Sequence, residues 1–420
     1  MTLITSWVES ANSATSPFPL NNLPCGVFAS GKAAPRCGVA IGEFVLDVSR
    51  LEKSELLALK GGPYFMSASW NALMEAGPAV WAELREKLKA LLKTGSRKRK
   101  VVEPFLHALS RVTLHMPFRV AEYTDFYAGR HHAQNVGTMF RGPENALPPN
   151  WLHIPIGYNG RASSVVVSGT PVTRPWGQLK GPNDVAPRFA PSQRFDIELE
   201  MAAIVGTPSQ HGVPATVTEA DAMIFGYVLL NDWSARDIQA WEYQPLGPFQ
   251  AKATATSISP WIVMKAALED FRISTPPREV PLLPHLTEPK PMLYNIDLEV
   301  GLKPAHGTET IIARTNYREL YYSAPQQLAH HTTSGCAMRT GDLLGSGTIS
   351  GPAKENRGSL LELSWGGKEP ITLVDGSERR FIEDHDTLTL RGSAKGNGYT
   401  IGFGECVGQL LPALADPYTR

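Results

Sequence analysis

No stretch of this sequence comes near the run of about 18 apolar residues that a membrane-spanning helix needs. Neither sign of charge is in excess, because 40 basic and 40 acidic residues cancel to a formal net charge of zero. This balance argues against a broad contact with nucleic acid or with anionic membranes. Residues 1–22 have neither a basic start nor a compact apolar core, so we predict no signal peptide.

Cysteine is scarce and scattered. The four cysteines are Cys25, Cys37, Cys336 and Cys406, and no pair has C-x-x-C spacing. The absence of such a pair argues against a structural zinc site, and scattered cysteines indicate reduced thiols in a cytoplasmic protein.

Several common catalytic motifs are missing. The sequence has no phosphate-binding P-loop, no H-E-x-x-H zinc motif and no G-x-S-x-G nucleophile motif. Gly345, Gly347 and Gly351 come near a dinucleotide fingerprint, but the last spacing is one residue too long and no helix pattern follows. Nucleotide-dependent, zincin and serine-hydrolase chemistry are therefore unsupported.

What the sequence does contain is typical of a soluble globular protein, with 42% hydrophobic and 19% charged residues. A chain of 420 residues favours two domains, and Met116–Phe118 marks a boundary between residues 1–117 and 118–420. The 37 glycines and 34 prolines favour a loop-rich, strand-rich fold.

Periodicity predicts the main elements. Helices are expected over Leu51–Leu59 and Pro78–Lys93, and the Ser323–Gln326 capping-box pattern predicts another. A long ordered loop is expected over residues 143–162. Predicted strands include 25–30, 37–41, 43–48, 165–167, 195–201, 223–230, 260–264, 295–301, 309–314, 341–347, 360–365, 386–391 and 399–403.

An acidic segment, Phe195–Met201, stands out because apolar and acidic residues alternate strictly. On one continuous strand Asp196, Glu198 and Glu200 would share a face, about 6.5–7 Å apart from one to the next. One interpretation is the solvated outer face of an antiparallel sheet. The other is a site for a hard divalent cation, which prefers carboxylate oxygens.

A second acidic position strengthens the metal interpretation. The apolar run Met223–Leu230 leads to Asp232, where a buried strand would stop and a helix begin. Ser234 and Asp237 have the spacing of a helix N-cap and its N3 partner. Arg236, Gln239 and Tyr243 would then lie on one helix face. Of the tryptophans, we expect Trp233, Trp241 and Trp365 in the core.

Several long motifs stand in this chain, most densely from Tyr123 onward. They include Tyr123–Tyr127 (Y-T-D-F-Y), His132–Gly137 (H-A-x-N-V-G), Asp196–Met201 (D-I-E-L-E-M), Asn231–Gln239 (N-D-W-S-A-R-D-I-Q), Trp241–Phe249 (W-E-Y-x-P-L-G-P-F), Gly341–Pro352 and Leu361–Trp365 (L-E-L-S-W). Through these motifs nearly the whole chain resembles the fumarylacetoacetase family.

The resemblance implies a mainly β, α+β fold with a small N-terminal SH3-like barrel and a larger C-terminal β-roll. It implies a cytoplasmic homodimer that hydrolyses the carbon–carbon bond of 4-fumarylacetoacetate, a diketo acid, to fumarate and acetoacetate. This reaction is the last step of tyrosine and phenylalanine catabolism. It also implies a divalent metal, Mg²⁺ or Ca²⁺ or both, since carboxylate oxygens suit either ion.

The resemblance also assigns roles to individual residues. The base would be His132 with Glu362 as its carboxylate partner, and the oxyanion donors would be Arg236, Gln239 and Lys252. The metal carboxylates would be Asp125, Glu198, Glu200 and Asp232, with Lys252 and Thr256 beside the metal. The substrate contacts would be Tyr127, Arg141, Gln239, Tyr243 and Thr348.

The chain departs from the family pattern in two places. Ala251, Ala253, Thr254 and Ala255 replace the usual glycine, polar, aromatic and glycine residues around Lys252. If the missing glycines served positive-φ positions, each alanine would cost about 1 kcal/mol. In the other place, His131 stands where Gln is usual and Gln134 where Thr is usual.

The same residues make independent sense as a carbon–carbon hydrolase. Cleavage of a 1,3-diketone expels an enolate, and a metal acting as a Lewis acid would stabilise that charge. A histidine oriented by a carboxylate can activate water, and preorganised N–H donors can stabilise the oxyanion.

Two other interpretations remain at this point. One is a metal-dependent decarboxylase or isomerase of 2-oxo acids on the same scaffold, which the long N-terminal part and the intact His132–Gly137 segment disfavour. The other is a non-catalytic calcium-binding or structural protein, which would not require His132, Arg236 and Lys252 together.

Overall fold

The structure is a computed structural model that describes residues 2–416 and residue 418. The first part of the chain forms a five-stranded antiparallel sheet in the order β4-β3-β2-β1-β5. Its strands are β1 (Cys25–Ser30), β2 (Arg36–Ile41), β3 (Phe44–Asp47), β4 (Leu106–Ala108) and β5 (Val112–His115). Its helices are α1 (Val48–Lys53), α2 (Asn71–Glu75), α3 (Pro78–Leu92) and α4 (Arg99–Val102).

The remainder of the chain is mostly strand. Its strands are β6 (Tyr123–Phe126), β7 (Gly157–Asn159), β8 (Val165–Val167), β9 (Val172–Thr173), β10 (Trp176–Leu179), β11 (Arg188–Pro191), β12 (Phe195–Asp196), β13 (Leu199–Val205), β14 (Ile224–Asp232), β15 (Ser234–Ala235), β16 (Thr256–Ile258), β17 (Val263–Met264), β18 (Arg272–Ile273), β19 (Leu293–Tyr294), β20 (Asp297–Lys303), β21 (Thr310–Asn316), β22 (Leu343–Gly345), β23 (Ile371–Thr372), β24 (Glu378–Arg379), β25 (Thr387–Lys395) and β26 (Thr400–Leu411).

Six helices complete this part. They are α5 (Arg130–Arg141), α6 (Val217–Met223), α7 (Arg236–Glu242), α8 (Lys265–Leu268), α9 (Ala324–Thr332) and α10 (Leu360–Leu363). The prediction of a mainly β chain with interspersed helices is confirmed. None of the helices in the described part of the chain combines the length and apolarity needed to cross a bilayer.

A central sheet organises the larger part, in the order β7-β6-β22-β13-β14-β16-β8 with β17 also paired to β14. Strand β22 lies between β6, with which it runs parallel, and β13, with which it runs antiparallel. A second sheet, β21-β20-β25-β26-β9, packs against β14 of the central sheet through β25 and β26. The carboxylate-bearing strands β6, β13 and β14 are therefore close in space although they are far apart in sequence.

The central sheet is buried on both faces, which explains the near-continuous apolar runs of β13 and β14. On one face Ala202 and Ile204 pack with the core of residues 7–102. On the other face Met201 and Ala203 pack with the core that includes Leu298 of β20. The alternation follows from the period of two residues in a strand.

Local signals predict some elements accurately. Helix α3 begins with Pro78 at its first position, and its apolar stripe, which includes Trp81 and Leu84, is buried as predicted. Ser323 caps α9 through a complete capping box, also as predicted. The prediction of a helix over Leu51–Leu59 is wrong, because the helix begins at Val48, capped by Asp47, and ends at Lys53.

Two further predictions need correction. Residues 360–365, predicted as a strand, begin with the helix α10. Ser234, predicted to cap α7, belongs to β15, where its hydroxyl donates to the Asp232 carbonyl instead. Of the three tryptophans predicted in the core, Trp233 is fully buried, Trp365 is half-buried and Trp241 is 42% exposed.

Candidate active site

Four carboxylates meet where the central strands end or begin. Asp125 lies on β6, Glu200 on β13, Asp232 at the end of β14, and Glu198 in the irregular residues just before β13. One oxygen of each lies within 4.8 Å of the others, and all four residues are buried. The interpretation of the acidic segment as a solvated sheet face is therefore wrong.

The acidic segment is also not one continuous strand. It breaks at Ile197 and Glu198, so Asp196 belongs to the short pair β12–β15 rather than to β13. The Asp196 carboxylate accepts hydrogen bonds from the backbone N–H groups of Leu360 (2.8 Å) and Leu361 (3.0 Å). Asp196 thus holds the start of α10 and stays outside the four-carboxylate cluster.

The cluster has the properties of a cation site. Asp125 Oδ1 and Glu200 Oε1 are buried, and neither accepts a hydrogen bond from any described residue. Burial, and next the nearby carboxylates, raise the pKa of both groups well above the ordinary range. A Cβ at Gly345 would lie 2.8 Å from Asp125 Oδ1 and 3.0 Å from a Glu200 oxygen, so glycine keeps this space open. These residues fit a hard divalent cation, which takes several carboxylate oxygens.

Lys252 and Thr256 lie beside the cluster. Lys252 Nζ donates to Glu198 and to Asp232 Oδ2, the latter at 2.7 Å, and Thr256 Oγ1 donates to Asp232 Oδ1 at 3.2 Å. Burial lowers the pKa of Lys252, but Asp232 and Glu198 outweigh burial and raise it, so the ammonium stays charged.

The alanines around Lys252 are compatible with the backbone. Gln250–Lys252 forms a single 3-10 turn, and Ala253 has φ of −99°. Among the described residues, positive φ at non-glycine positions occurs only at Leu23, Glu55, Trp365 and His385. The strain expected for alanine at positive φ therefore does not arise in this loop.

His132 and Glu362 form a buried hydrogen-bonded pair between α5 and α10. His132 Nδ1 lies 2.6 Å from Glu362 Oε2. Asn135 Nδ2, Ser350 Oγ and Ser359 Oγ donate to the same carboxylate at 2.8, 2.9 and 2.7 Å.

The surroundings of Glu362 keep it ionised. Burial raises its pKa, but the His132 ring and the hydrogen bonds outweigh burial and lower it to about 2. In the neutral form of the ring, an ionised carboxylate at Nδ1 favours the tautomer with its N–H on that nitrogen and leaves Nε2 as the acceptor. His132 Nε2 faces the cluster, 3.9 Å from Glu198 Oε1.

Arg236 links the acidic residues to the pocket. Its Nε donates to Asp196 Oδ2 at 2.8 Å, and its Nη1 lies 2.7 Å from Glu198 Oε1 and donates to Gln239 Oε1 at 3.2 Å. Its Nη2 is buried and has no acceptor among the described residues. The Nη2 amino group of the guanidinium thus has unused donor capacity among the described residues.

A cavity of about 370 Å³ lies beside the proposed base and the carboxylate cluster. All five residues predicted to contact substrate line it, namely Tyr127, Arg141, Gln239, Tyr243 and Thr348. Asp125, His132, Glu198, Arg236 and Lys252 line it too. Thr348 Oγ1 is buried without a partner among the described residues, whereas Arg141 is exposed and donates to the carbonyls of Asn145 (3.0 Å) and Ala146 (2.6 Å).

Sequence reasoning missed several members of this site. Tyr158 lines the cavity and its hydroxyl donates to Asp232 Oδ2 at 3.1 Å. Its position follows from the pairing of β7 with β6, where Tyr158 is opposite Asp125. The sequence alone predicts only a long loop around Tyr158 and assigns this tyrosine no role. Asn135 and Ser350 donate to Glu362. Both lie in motifs of the family resemblance, but the sequence alone assigns neither residue a role.

Comparison with known proteins places the chain in one family. A family model described as "Fumarylacetoacetase N-terminal" matches residues 21–117, and one described as "Fumarylacetoacetate (FAA) hydrolase C-terminal" matches residues 122–410. The chain belongs to the fumarylacetoacetase family.

Relatives in this family match nearly end to end. A fumarylacetoacetase from Arabidopsis thaliana is 46% identical over 98% of this chain and 100% of its own. Those from Aspergillus fumigatus and Homo sapiens are 48% and 47% identical, covering 97% and 95% of this chain and 99% and 97% of theirs.

Among solved structures, a fumarylacetoacetate hydrolase from Exiguobacterium antarcticum aligns with a TM-score of 0.52 at 16% identity. The alignment covers 93% of this chain and 99% of that one. At this identity the likeness shows the fold alone.

Proposed function

We propose that this protein hydrolyses a carbon–carbon bond of 4-fumarylacetoacetate to give fumarate and acetoacetate, the last step of tyrosine and phenylalanine catabolism. The observation that carries the proposal is that Asp125 and Glu198, two members of the buried four-carboxylate cluster, line the same cavity as His132, whose ring is paired with Glu362. Family membership over almost the whole chain supports the choice of substrate.

In this proposal His132 is the general base. Nε2 takes a proton from the water whose oxygen attacks a substrate carbonyl carbon. The carbon–carbon bond then breaks, its electron pair leaves with the enolate carbon, and His132 returns the proton to that carbon. Glu362 holds the ring in orientation and stabilises its charged form.

The oxyanion of the addition step needs N–H donors that are already aimed. We propose Arg236, Gln239 and Lys252 for this role. Arg236 Nη2 is the donor with the clearest capacity, because it is buried and unpartnered among the described residues. Tyr127, Arg141, Gln239, Tyr243 and Thr348 are the proposed substrate contacts, on the strength of their place in the cavity wall.

We also propose Asp125, Glu198, Glu200 and Asp232 as ligands of Mg²⁺ or Ca²⁺, with Lys252 and Thr256 beside the ion. The unsatisfied buried oxygens of Asp125 and Glu200 support this set. When bound, the ion supplies a Lewis acid that balances negative charge developing on the substrate.

The remaining proposals rest on the family resemblance. They are a homodimer, an SH3-like barrel over residues 1–117, a β-roll over residues 118–420 and a cytoplasmic location. The five-stranded first sheet supports the barrel, and the free thiols of the four cysteines support the location.

The test is a spectrophotometric assay on fumarylacetoacetate and on simple acylpyruvates, with and without a chelator. We expect metal-dependent loss of substrate absorbance and recovery of fumarate and acetoacetate in equal amounts by chromatography. Absence of turnover with Mg²⁺ and Ca²⁺ present would refute the proposal. Decarboxylation or isomerisation of 2-oxo acids instead would assign the protein to another enzyme class.

A further inference from the structure

One segment connects two parts of the proposed catalytic machinery. Residues 243–249 lead from α7, which carries Arg236 and Gln239, to the turn Gln250–Lys252. Tyr243, Leu246, Gly247 and Pro248 of this segment line the cavity. The segment, called the wall loop below, therefore shapes the substrate pocket while joining two sets of oxyanion donors.

The wall loop has little packing of its own. Leu246 is 95% exposed and Phe249 is 71% exposed. The first half is tied to the helix by Tyr243 N–H to the Gln239 carbonyl (3.0 Å), and within itself by Gly247 N–H to the Tyr243 carbonyl (2.6 Å). Burial of side chains cannot hold such an exposed segment, so hydrogen bonds must do so.

The returning end of the loop is tied to the helix by one side chain. The Glu242 carboxylate accepts three backbone N–H groups, from Phe249 at 2.8 Å, Gln250 at 3.1 Å and Ala251 at 2.8 Å. Hydrogen bonds to a carboxylate are stronger than those between neutral groups. Glu242 thus closes the wall loop at its base.

The position of Glu242 in its helix supports a role beyond helix stability. Glu242 is the last residue of α7. A carboxylate at a helix C-terminus interacts unfavourably with the helix dipole, which prefers cations there. The hydrogen bonds from the three N–H groups offset this unfavourable interaction, so Glu242 contributes to holding the wall loop rather than to stabilising α7.

We infer that Glu242 is a positioning residue that fixes the wall loop and thereby sets the affinity of the pocket for substrate. The inference rests on the proposed function for its kinetic consequence. The affinity effect should dominate, because Lys252 is held separately by Asp232 and Glu198, and Arg236 by Asp196 and Glu198. Loosening the wall loop leaves those ion pairs intact.

The test is Glu242→Gln in the full-length, metal-loaded protein. An amide of the same size offers one neutral acceptor oxygen in place of the carboxylate. We expect KM for fumarylacetoacetate to rise on the order of tenfold, with kcat changing less than about threefold, because losing binding that the ground state and the transition state share equally raises KM and leaves kcat unchanged.

A readout that needs no substrate separates this inference from the proposed function. Hydrogen–deuterium exchange should become faster in the peptide covering residues 243–251 of the variant and stay unchanged in α3. If the wild-type protein fails to turn over fumarylacetoacetate, the proposed function fails while the exchange result still tests whether Glu242 holds the loop.

The matched control is Glu75→Gln, which also changes the last residue of a helix, α2, and lies exposed outside the cavity lining. It should leave KM, kcat and hydrogen exchange of the wall loop unchanged.

Glu242→Asp keeps the charge and should give an intermediate KM. An unchanged KM or unchanged exchange in Glu242→Gln overturns the inference, as does a fall in kcat with KM unchanged. Failure of both Glu242 variants to fold also overturns it, because the role would then be structural.

Discussion

Two adjacent histidines on α5 differ sharply in their surroundings. His132 is buried against Glu362, whereas the His131 side chain is 37% exposed and its Nε2 lies 3.6 Å from Glu319 Oε2. On a helix neighbouring side chains diverge by about 100°. Only His132 can therefore reach the cavity.

We expect His132→Ala to lose about 10²- to 10⁴-fold in turnover, the usual range for removal of a general base. His131→Ala should change turnover only slightly, because its side chain points away from the cavity. The measurement is kcat at saturating substrate, with circular dichroism and metal content confirming that both variants are intact. An active His132→Ala beside an inactive His131→Ala would show that the proposed base is wrong by one residue.

Arg236→Lys should lower kcat on the order of 10²-fold, although it keeps the positive charge. An ammonium cannot contact Asp196 and Glu198 and still aim a donor into the cavity, as the planar guanidinium does. Steady-state kinetics measure this. Arg188→Lys, at an exposed position of β11, is the control and should behave like the wild type. Unchanged kinetics in Arg236→Lys would limit Arg236 to a structural ion pair.

At the scale of elements, the short helix α10 depends on a distant side chain. Ser359 caps it by accepting from Glu362 N–H, and Asp196 accepts from the N–H groups of Leu360 and Leu361. Asp196 also pairs with Arg236 in the interior. One carboxylate thus orders the helix that carries Glu362 and neutralises the guanidinium beside the cavity.

We expect Asp196→Ala to lower the free energy of unfolding by about 3–5 kcal/mol, the usual cost of breaking a buried ion pair on one side. Turnover should fall too, because α10 would no longer place Glu362 against His132. Urea denaturation measures the first effect and kinetics the second. Asp184→Ala, in an exposed turn, is the control, and equal stability of the two variants would contradict the role of Asp196.

The same helix shows where sequence reasoning stops. The sequence predicts a strand over residues 360–365, yet the N–H groups of Leu360 and Leu361 at the start of α10 are satisfied by Asp196, far away in the chain. Conversely, Pro78 at the start of α3 and the Ser323 capping box are local, and these elements are predicted correctly. A local sequence pattern therefore predicts an element correctly when the residues that cap or start that element are its neighbours in the chain.

The same distinction holds in the site. The carboxylates of the acidic segment and Asp232 were recognisable because acids at strand positions are unusual. The pairing of His132 with Glu362 was available only through family resemblance, since nothing local joins the two. The contact of Tyr158 with Asp232 was missed because it depends on which strands become neighbours in the sheet.

For the whole molecule, we expect chelation to abolish turnover and to lower the unfolding midpoint. A cation that binds only the folded state adds about 2.7 kcal/mol of stability at 100 times its Kd. Differential scanning calorimetry with and without Mg²⁺ or Ca²⁺ measures this effect. Asp232→Ala should remove both the stabilisation and the turnover, whereas Asp375→Ala, in an exposed turn, should keep both. Full activity of a preparation shown by elemental analysis to be metal-free would contradict the mechanism.

We also expect the protein to be a dimer at working concentration, an expectation that rests on resemblance to the family. Multi-angle light scattering of the active protein gives its mass directly. A fully active monomer of 45.8 kDa would contradict this expectation.

The place of β22 in the central sheet has a consequence for the order of events during synthesis. This strand fills the space between β6 and β13, yet the ribosome makes it after both of them. Until Leu343–Gly345 has emerged, the nascent chain holds two unpaired strand edges, which are prone to pair with other chains. A chain that ends before this point cannot bring Asp125 of β6 next to Glu200 of β13. The catalytic centre is therefore completed late in synthesis of the chain.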